Sequence, residues 1–200
     1  IIHSCKPEHG GGFAVFDAGC GEGYYTDRIY KSLISNSDKA VIFGMDISKE
    51  AVRLAAKRNK HISFCVGSIY HLPIMNHSMD CIVNIFAPLK EEEFARILKR
   101  NGAIVKVTPG AQHLFGLKKE LYDNPYENDE EQLEITGLQL METRNIKYEI
   151  HLKATKDIAD LLKMTPYYWN TNIAKTQRFM EQASTLDTTL DFVVSIYRKA

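Results

Sequence analysis

Three glycines on alternate positions, Gly19, Gly21 and Gly23, follow the apolar run Phe13-Ala14-Val15-Phe16 and precede a stretch of helical periodicity. No other feature restricts the fold as much. A short apolar run bounded by turn residues reads as a buried strand. Glycine admits positive φ and lets a ligand approach the backbone closely. The first turn of a helix offers unpaired N–H groups to such a ligand. The helical stretch runs from Tyr24 to about Leu33, with Tyr25, Ile29, Tyr30 and Leu33 on one face.

The rest of the first half repeats this strand-then-helix unit. Val41–Met45 reads as a second strand, closed by Asp46. Ser48 is a candidate N-cap for a helix carrying Ala51, Val52, Leu54 and Ala55. Ile62–Val66 and Cys81–Phe86 read as strands three and four, the latter stopped by Pro88. A helix over Glu91–Lys99, a C-cap at Asn101-Gly102 and a fifth strand over Ala103–Val107 follow. Continuous apolar strands alternating with helices predict an α/β, Rossmann-like, doubly wound sheet covered on both faces. Later, Gln112–Leu121 reads as helix and Leu138–Leu152 as a long strand. Ile158–Leu162 and Asn172–Gln182 read as helical, and Thr189–Tyr197 as a final edge strand. Residues 1–12, ending in Gly10-Gly11-Gly12, read as a loop. Residues 120–134 hold seven acids and no Lys or Arg, which predicts a solvated surface segment.

The spacing of the glycines selects among ligands. Tyr24 stands where the dinucleotide fingerprint G-x-G-x-x-G needs its third glycine. Asp17, just before the glycines, would be badly placed beside a pyrophosphate. A carboxylate there suits a ligand bearing an ammonium group, such as the methionine part of S-adenosylmethionine. Asp46, 23 residues beyond Gly23 at the end of strand two, is placed to accept ribose hydroxyls, and Ile47 beside it to pack on an adenine face.

Charge and cysteine usage narrow the class. Lys plus Arg number 25 and Asp plus Glu 25, which argues against nucleic-acid binding by bulk charge. Cys5, Cys20, Cys65 and Cys81 form no C-x-x-C pair, so neither a cysteine zinc site nor a disulfide scaffold is expected. No metal is expected, and the thiols imply a reducing, cytoplasmic setting. His61, His71 and His77 are expected on loops and carry no assigned chemistry.

With D-A-G-C-G-E-G-Y-Y, Leu72-Pro73 and Leu98-Lys99-Arg100-Asn101-Gly102 in place, the sequence resembles a class I methyltransferase. More closely it resembles the RlmA family of 23S ribosomal RNA guanine-N1 methyltransferases. That likeness is carried by Gly19–Thr26, Phe64-Cys65-Val66, Thr108-Pro109-Gly110 with His113-Leu114, and Met164-Thr165-Pro166 with Trp169. The resemblance implies a seven-stranded, mostly parallel sheet with an antiparallel last strand, S-adenosyl-L-methionine as cofactor, and a 23S rRNA hairpin as partner. It also implies a zinc-binding module and a linking segment upstream of this sequence. On that expectation residues 1–12 are a linker remnant and residues 13–200 the methyltransferase domain. Oligomeric state stays open, a homodimer included, and no membrane partner is expected.

For the site, the expected cofactor-binding residues are Asp17, Gly19, Gly21, Glu22, Gly23, Asp46, Ile47 and, by resemblance, His113. Asn84 and Phe86 end strand four, where base-modifying enzymes contact an unstacked target. Tyr167 and Trp169, with Tyr168 between them, are expected to stack on it. Guanine N1 must lose its proton, yet no residue is an unambiguous base, so the catalytic position stays open. Two other functions remain open on sequence alone: methyl transfer to a small molecule, and cofactor binding without catalysis.

Overall fold

The computed structural model describes residues 1–7, 12–35, 39–129 and 134–199. Gly10 and Gly11 of the first loop, and residues 130–133 of the acidic segment, lie outside the described residues. The order is β1 (Phe13–Ala18), α1 (Tyr24–Ser35), β2 (Ala40–Asp46), α2 (Lys49–Arg58), β3 (Ser63–Val66), β4 (Met79–Ile85), α3 (Glu91–Ile97), β5 (Leu98–Pro109) and α4 (Phe115–Leu121). It continues with β6 (Leu138–Leu152), α5 (Thr155–Lys163), α6 (Tyr167–Asn170), α7 (Ile173–Gln182) and β7 (Leu186–Lys199). A 3-10 turn over Ile2–Cys5 precedes them.

The seven strands form one sheet in the order β3-β2-β1-β4-β5-β7-β6. The first five pair in parallel, with Phe16 opposite Phe43 on β2 and Ile82 on β4. β7 runs against β5. Lys199 and Arg198 reach the carbonyls of Leu98 and Asn101 at the start of β5, and the Gly110 N–H beyond its end meets Asp191 O. Thr189–Tyr197 is therefore an interior segment, not an edge. The edge is β6, whose residues are mostly exposed, whereas β7 buries Leu186, Thr188, Asp191, Val194, Ile196 and Tyr197.

The chain divides into two compact units. The first comprises residues 1–108, 133–144 and 194–200, the second residues 109–132 and 145–193. In the first, one core layer gathers Val15, Leu33, Ile42, Cys81, Val83 and Val105, and Cys5 joins it from the opening turn. The other layer gathers Phe16, Met45, Ile82, Phe94, Ile97 and Ile104. The alternation along β1, β4 and β5 that sends neighbours to opposite layers is the two-residue period of a strand. In the second unit Leu114, Leu117, Leu121, Ile158, Leu162 and Leu186 form their own core.

Four local expectations shift. α3 stops at Ile97, and Asn101-Gly102 does not cap it. Leu98 enters β5 directly, and a step of two along β4, from Met79 to Cys81, matches a step of five along β5, from Leu98 to Ala103. Asn101, at φ 61, sits within that bulge. α4 begins at Phe115, after turns over residues 111–114 in which Leu114 takes φ 56. In α1, Tyr25 is exposed, and the polar Thr26 and Asp27 are buried instead. Finally, the opening residues are not loop alone, because the turn at Ile2–Cys5 inserts the Cys5 thiol into the core.

Candidate active site at the glycine loop

The site forms where β1 ends. Gly19, Gly21 and Gly23 all take positive φ, at 85°, 53° and 72°. A Cβ on Gly19 would stand 2.5 Å from the Ala87 Cβ, and one on Gly23 2.9 Å from the Ala55 Cβ. A Cβ on Gly21 would meet nothing within 4 Å. The loop is thus packed at its two ends and open in the middle. Its backbone is held by the end of β2, where Met45 O accepts the N–H groups of Gly19 and Cys20. The Asp46 carboxylate accepts Gly21 N–H at 2.9 Å and Ser48 N–H at 2.8 Å. Ser48 in turn caps α2 by accepting Ala51 N–H.

Asp17 is 2% exposed and accepts the Thr26 hydroxyl at 2.5 Å. Burial pushes its carboxyl up to about 6, against the Thr26 hydrogen bond and with the charge of Asp46. Cys20 beside it is a protonated thiol, pushed up to about 12 by burial and then by Asp17. Such a carboxyl is stabilised by a cation that reaches it.

Next to the loop lies a cleft of about 290 Å³. Gly19, Asp46, Ile47, the segment Gly67-Ser68-Ile69-Tyr70 after β3, and the segment Ile85–Pro88 after β4 line it. Ile47 is 78% exposed at its rim. Phe86 has φ 52, and its N–H is tied to Val107 O on β5. The Asn84 amide donates to Ala18 O and Pro88 O, and its oxygen accepts from Lys106. Glu22 stands at the solvent side, with its carbonyl accepting from Arg58 Nε.

The first unit therefore brings together Asp17, Gly19, Gly21, Glu22, Gly23, Asp46, Ile47, Asn84 and Phe86. His113, Tyr167 and Trp169 belong to the second unit. His113 Nδ1 accepts Asp191 N–H at 3.3 Å, its ring lies 5.0 Å from Phe192, and burial lowers its pKa. Tyr167 is half-buried against Tyr122 and pushed up to about 12 by burial. Trp169 is 78% exposed and stands edge-on to Tyr168. Sequence reasoning missed the Gly67–Tyr70 wall and Lys106. A lone lysine inside the apolar run Ile104-Val105-Lys106-Val107 was the available signal, because lysine is rarely buried without a reason.

The arrangement fits a nucleoside carrying a cationic tail. At the cleft Asp46 presents a carboxylate and Ile47 and Ile69 apolar surface, and Asp17 is a buried carboxyl just before the loop. Among the described residues no group of three His, Cys, Asp or Glu side chains could hold a metal, and no helix is long and apolar enough to cross a membrane.

Comparison with known proteins agrees. Residues 9–183 match the family model described as a methyltransferase domain. The chain is 29% identical over 192 residues to a Bacillus subtilis protein provisionally named 23S rRNA (guanine-N(1)-)-methyltransferase YxjB, covering 94% of this chain and 67% of that one. It is 33% identical over 104 residues to the 23S rRNA (guanine(748)-N(1))-methyltransferase of Streptomyces fradiae, covering 52% and 36%. It therefore spans about two thirds of the first relative and about one third of the second. Among solved structures, the YcgJ protein of Bacillus subtilis aligns with a TM-score of 0.59 at 17% identity, over 99% of this chain and 95% of that one. A provisionally assigned methyltransferase of Bacillus halodurans aligns at 0.62 and 13% identity, over 96% and 94%. These two show the fold. S-adenosylmethionine is the cofactor that the family match implies, and the cleft fits it. With the glycine loop, the acid after β2 and a model match over most of its length, the chain belongs to the methyltransferase domain family.

Proposed function

We propose that this protein transfers a methyl group from S-adenosylmethionine to N1 of a guanine in a 23S rRNA hairpin. The observation that carries the cofactor half is the Asp46–Gly21 hydrogen bond, which joins the glycine loop to the acid after β2 at one wall of the cleft. The substrate half is supported by the names of the relatives, which specify guanine N1 of 23S rRNA.

When bound, S-adenosylmethionine supplies a methyl group on a positively charged sulfur. The residues of the chain then have separate tasks. Asp46 accepts the ribose hydroxyls and Ile47 covers the adenine. Asp17, Gly19, Gly21 and Glu22 border the methionine end, and Gly23 lets the loop pack close against Ala55 of α2. Phe86, held by Val107, forms a wall against the target base, and Asn84 fixes that wall through Pro88. Tyr167 and Trp169 stack on unpaired bases, a contribution of about 1–3 kcal/mol per base. Most of the acceleration comes from holding N1 in line with the departing sulfur.

Primer extension on 23S rRNA from cells lacking the protein tests the reading, because an N1-methylated guanine cannot pair and stops reverse transcriptase. The expected result is loss of one stop, restored by the wild-type gene. An unchanged stop pattern overturns the RNA reading. Methyl transfer to a small metabolite would then define the substrate instead.

A further inference from the structure

A second cavity, of about 460 Å³, lies at the opposite end of the parallel strands. Cys5 and Lys6 from the opening segment, Asp80 at the start of β4, Arg100 and Asn101 at the start of β5, and Arg198 near the end of β7 line it. All belong to the first unit. The glycine-loop cleft forms where β1, β2 and β4 end, whereas this cavity forms where β4 and β5 begin. A strand of the length of β4, Met79–Ile85, keeps the two roughly 20 Å apart. The cavity is therefore no part of the site described above.

Its charge is one-sided. Asp80, the one acid among the described lining residues, is fully engaged. Lys99 Nζ lies 2.9 and 2.8 Å from its two oxygens, and Oδ2 also accepts Ala14 N–H at 2.8 Å. Lys99 thus cancels the Asp80 charge, while Lys6, Arg100 and Arg198 face the same space. Arg198 is fixed in place: Nη1 donates to Asn101 O at 3.0 Å and Nη2 to Ser4 O at 3.3 Å, which ties the β5 wall to the opening turn. Those bonds use two of its five N–H donors. Arg100 is exposed and, among the described residues, makes no hydrogen bond or ion pair. Leu98 and Ala103 pair with Met79 and Cys81, so Arg100 and Asn101 lie in the extra length of the bulge. A bulge re-aims side chains that a regular strand would leave on the sheet faces. The Cys5 thiol, buried at the same cavity, is held below its usual range by a hydrogen bond from Cys81 and, against the effect of burial, by the charge of Arg198. The field of the guanidinium therefore reaches the lining.

We propose that this cavity is a binding site for a phosphate group, held between the guanidiniums of Arg100 and Arg198 with Lys6 adding positive charge. Arginine forks match the oxygen spacing of a phosphate and bond it bidentately. Like charges gathered around one space repel, and an anion with several oxygens relieves that repulsion while taking the spare N–H donors. A phosphate offers more acceptor oxygens to three cations than a carboxylate does. The group is a free phosphate or a phosphodiester of an RNA backbone, which share this chemistry. The site does not depend on the guanine-N1 reading. For an RNA substrate it would supply a backbone contact, which positions the strand without reading its sequence.

The test uses the whole chain with Arg100→Gln, Arg100→Lys and, as a control for the loss of one positive charge, Arg178→Gln on α7. Both arginines are exposed, so the melting temperatures should agree within about 2 °C. Inorganic phosphate is titrated against chloride at constant ionic strength, and the amide signals of Asn101 and Gly102 are followed by NMR. Wild type should show saturable shifts at both. Arg100→Gln should bind phosphate about tenfold or more weakly, Arg100→Lys should fall between, and Arg178→Gln should match wild type. A 23S rRNA hairpin is then titrated at several salt concentrations. If the site takes an RNA backbone, Arg100→Gln lowers the slope of log affinity against log salt by about 1 relative to Arg178→Gln. If it takes free phosphate, the two variants share one slope. Either slope fits the proposal when phosphate binding is lost with Arg100. The proposal is overturned if phosphate gives no saturable shift at Asn101 and Gly102, or if Arg100→Gln binds phosphate as wild type does. Wild type that binds phosphate yet methylates no guanine would remove the guanine reading and leave this site.

Discussion

The Asp46 carboxylate accepts the Gly21 N–H at 2.9 Å across 25 residues of sequence. The acid after β2 thus holds the open middle of the glycine loop as well as facing the cleft. Asp46→Ala releases Gly21 and Ser48 and removes the charge-assisted acceptor proposed above for the ribose hydroxyls. We expect S-adenosylhomocysteine binding to weaken by about 1–3 kcal/mol. Asp46→Asn, which keeps one acceptor oxygen, should lose less. Titration calorimetry on the folded variants decides. Unchanged affinity for Asp46→Ala would confine the residue to holding the loop.

The glycines of the loop should differ in what alanine costs. At Gly21 the added methyl meets nothing within 4 Å, so the cost is the backbone strain of φ 53°, about 1–2 kcal/mol. At Gly19 it meets the Ala87 Cβ at 2.5 Å as well as carrying φ 85°, which brings the cost to about 3 kcal/mol or more. In a chain of this size each kcal/mol lowers the melting temperature by about 2–4 °C. Ala87→Gly should recover part of the Gly19→Ala loss and none of the Gly21→Ala loss. Equal melting temperatures for the two single variants would refute the packing argument.

The parallel half of the fold was legible because its strands are continuous apolar runs and its turns carry glycine, Ser48 and Pro88. Local periodicity was less informative where tertiary pairing decides. β7 carries partly polar residues, such as Thr188 and Asp191, yet it lies inside the sheet because β6 covers its outer side. Asn101-Gly102 has the composition of a helix C-cap and is used instead for a bulge, a difference set by the register with Met79 and Cys81. At the glycine loop, the placement of Asp17, Asp46 and the glycines at the ends of β1 and β2 could be read from spacing. The engagement of Asn84 by Ala18, Pro88 and Lys106 could not, because it depends on side-chain contacts between strands distant in sequence.

Asp17 should make stability depend on pH in an unusual direction. Its carboxyl titrates at about 6 in the folded chain against a reference value of 3.8. Between those values the folded state binds more protons than the unfolded one, so this group's contribution falls as pH rises from about 4 to 6. The shift of about two units corresponds to about 3 kcal/mol. Asp17→Asn retains an oxygen for the Thr26 hydroxyl and removes the buried charge. The variant should match wild type near pH 4 and exceed it by about 2–3 kcal/mol above pH 6. Denaturant unfolding at several pH values measures the difference, and a constant offset across the range would exclude the assignment.

In the second unit, Lys118 is fully buried and donates to Tyr126 O at 2.9 Å and Asn128 Oδ1 at 2.7 Å. Its ammonium lies 4.1 Å from the centre of the Tyr126 ring and 5.5 Å from that of Tyr167. Both contacts are of cation–π range. Asn128, so held, donates its amide to Gly110 O and its backbone N–H to Ala111 O, which ties the segment after α4 to the turn after β5. Lys118→Met keeps the aliphatic volume but leaves two part-buried acceptors without the lysine donor. Removal of the buried cation offsets part of that loss, so the net cost should be about 1–3 kcal/mol. The Asn128 backbone amide should exchange with solvent faster than in wild type, because the hydrogen bond to Ala111 is no longer braced from the lysine side. Hydrogen exchange at Asn128 and thermal unfolding test this together. A lower melting temperature with Asn128 exchange unchanged would mean that Lys118 supports the packing of Tyr126 and Tyr167 and not the turn at Gly110–Ala111.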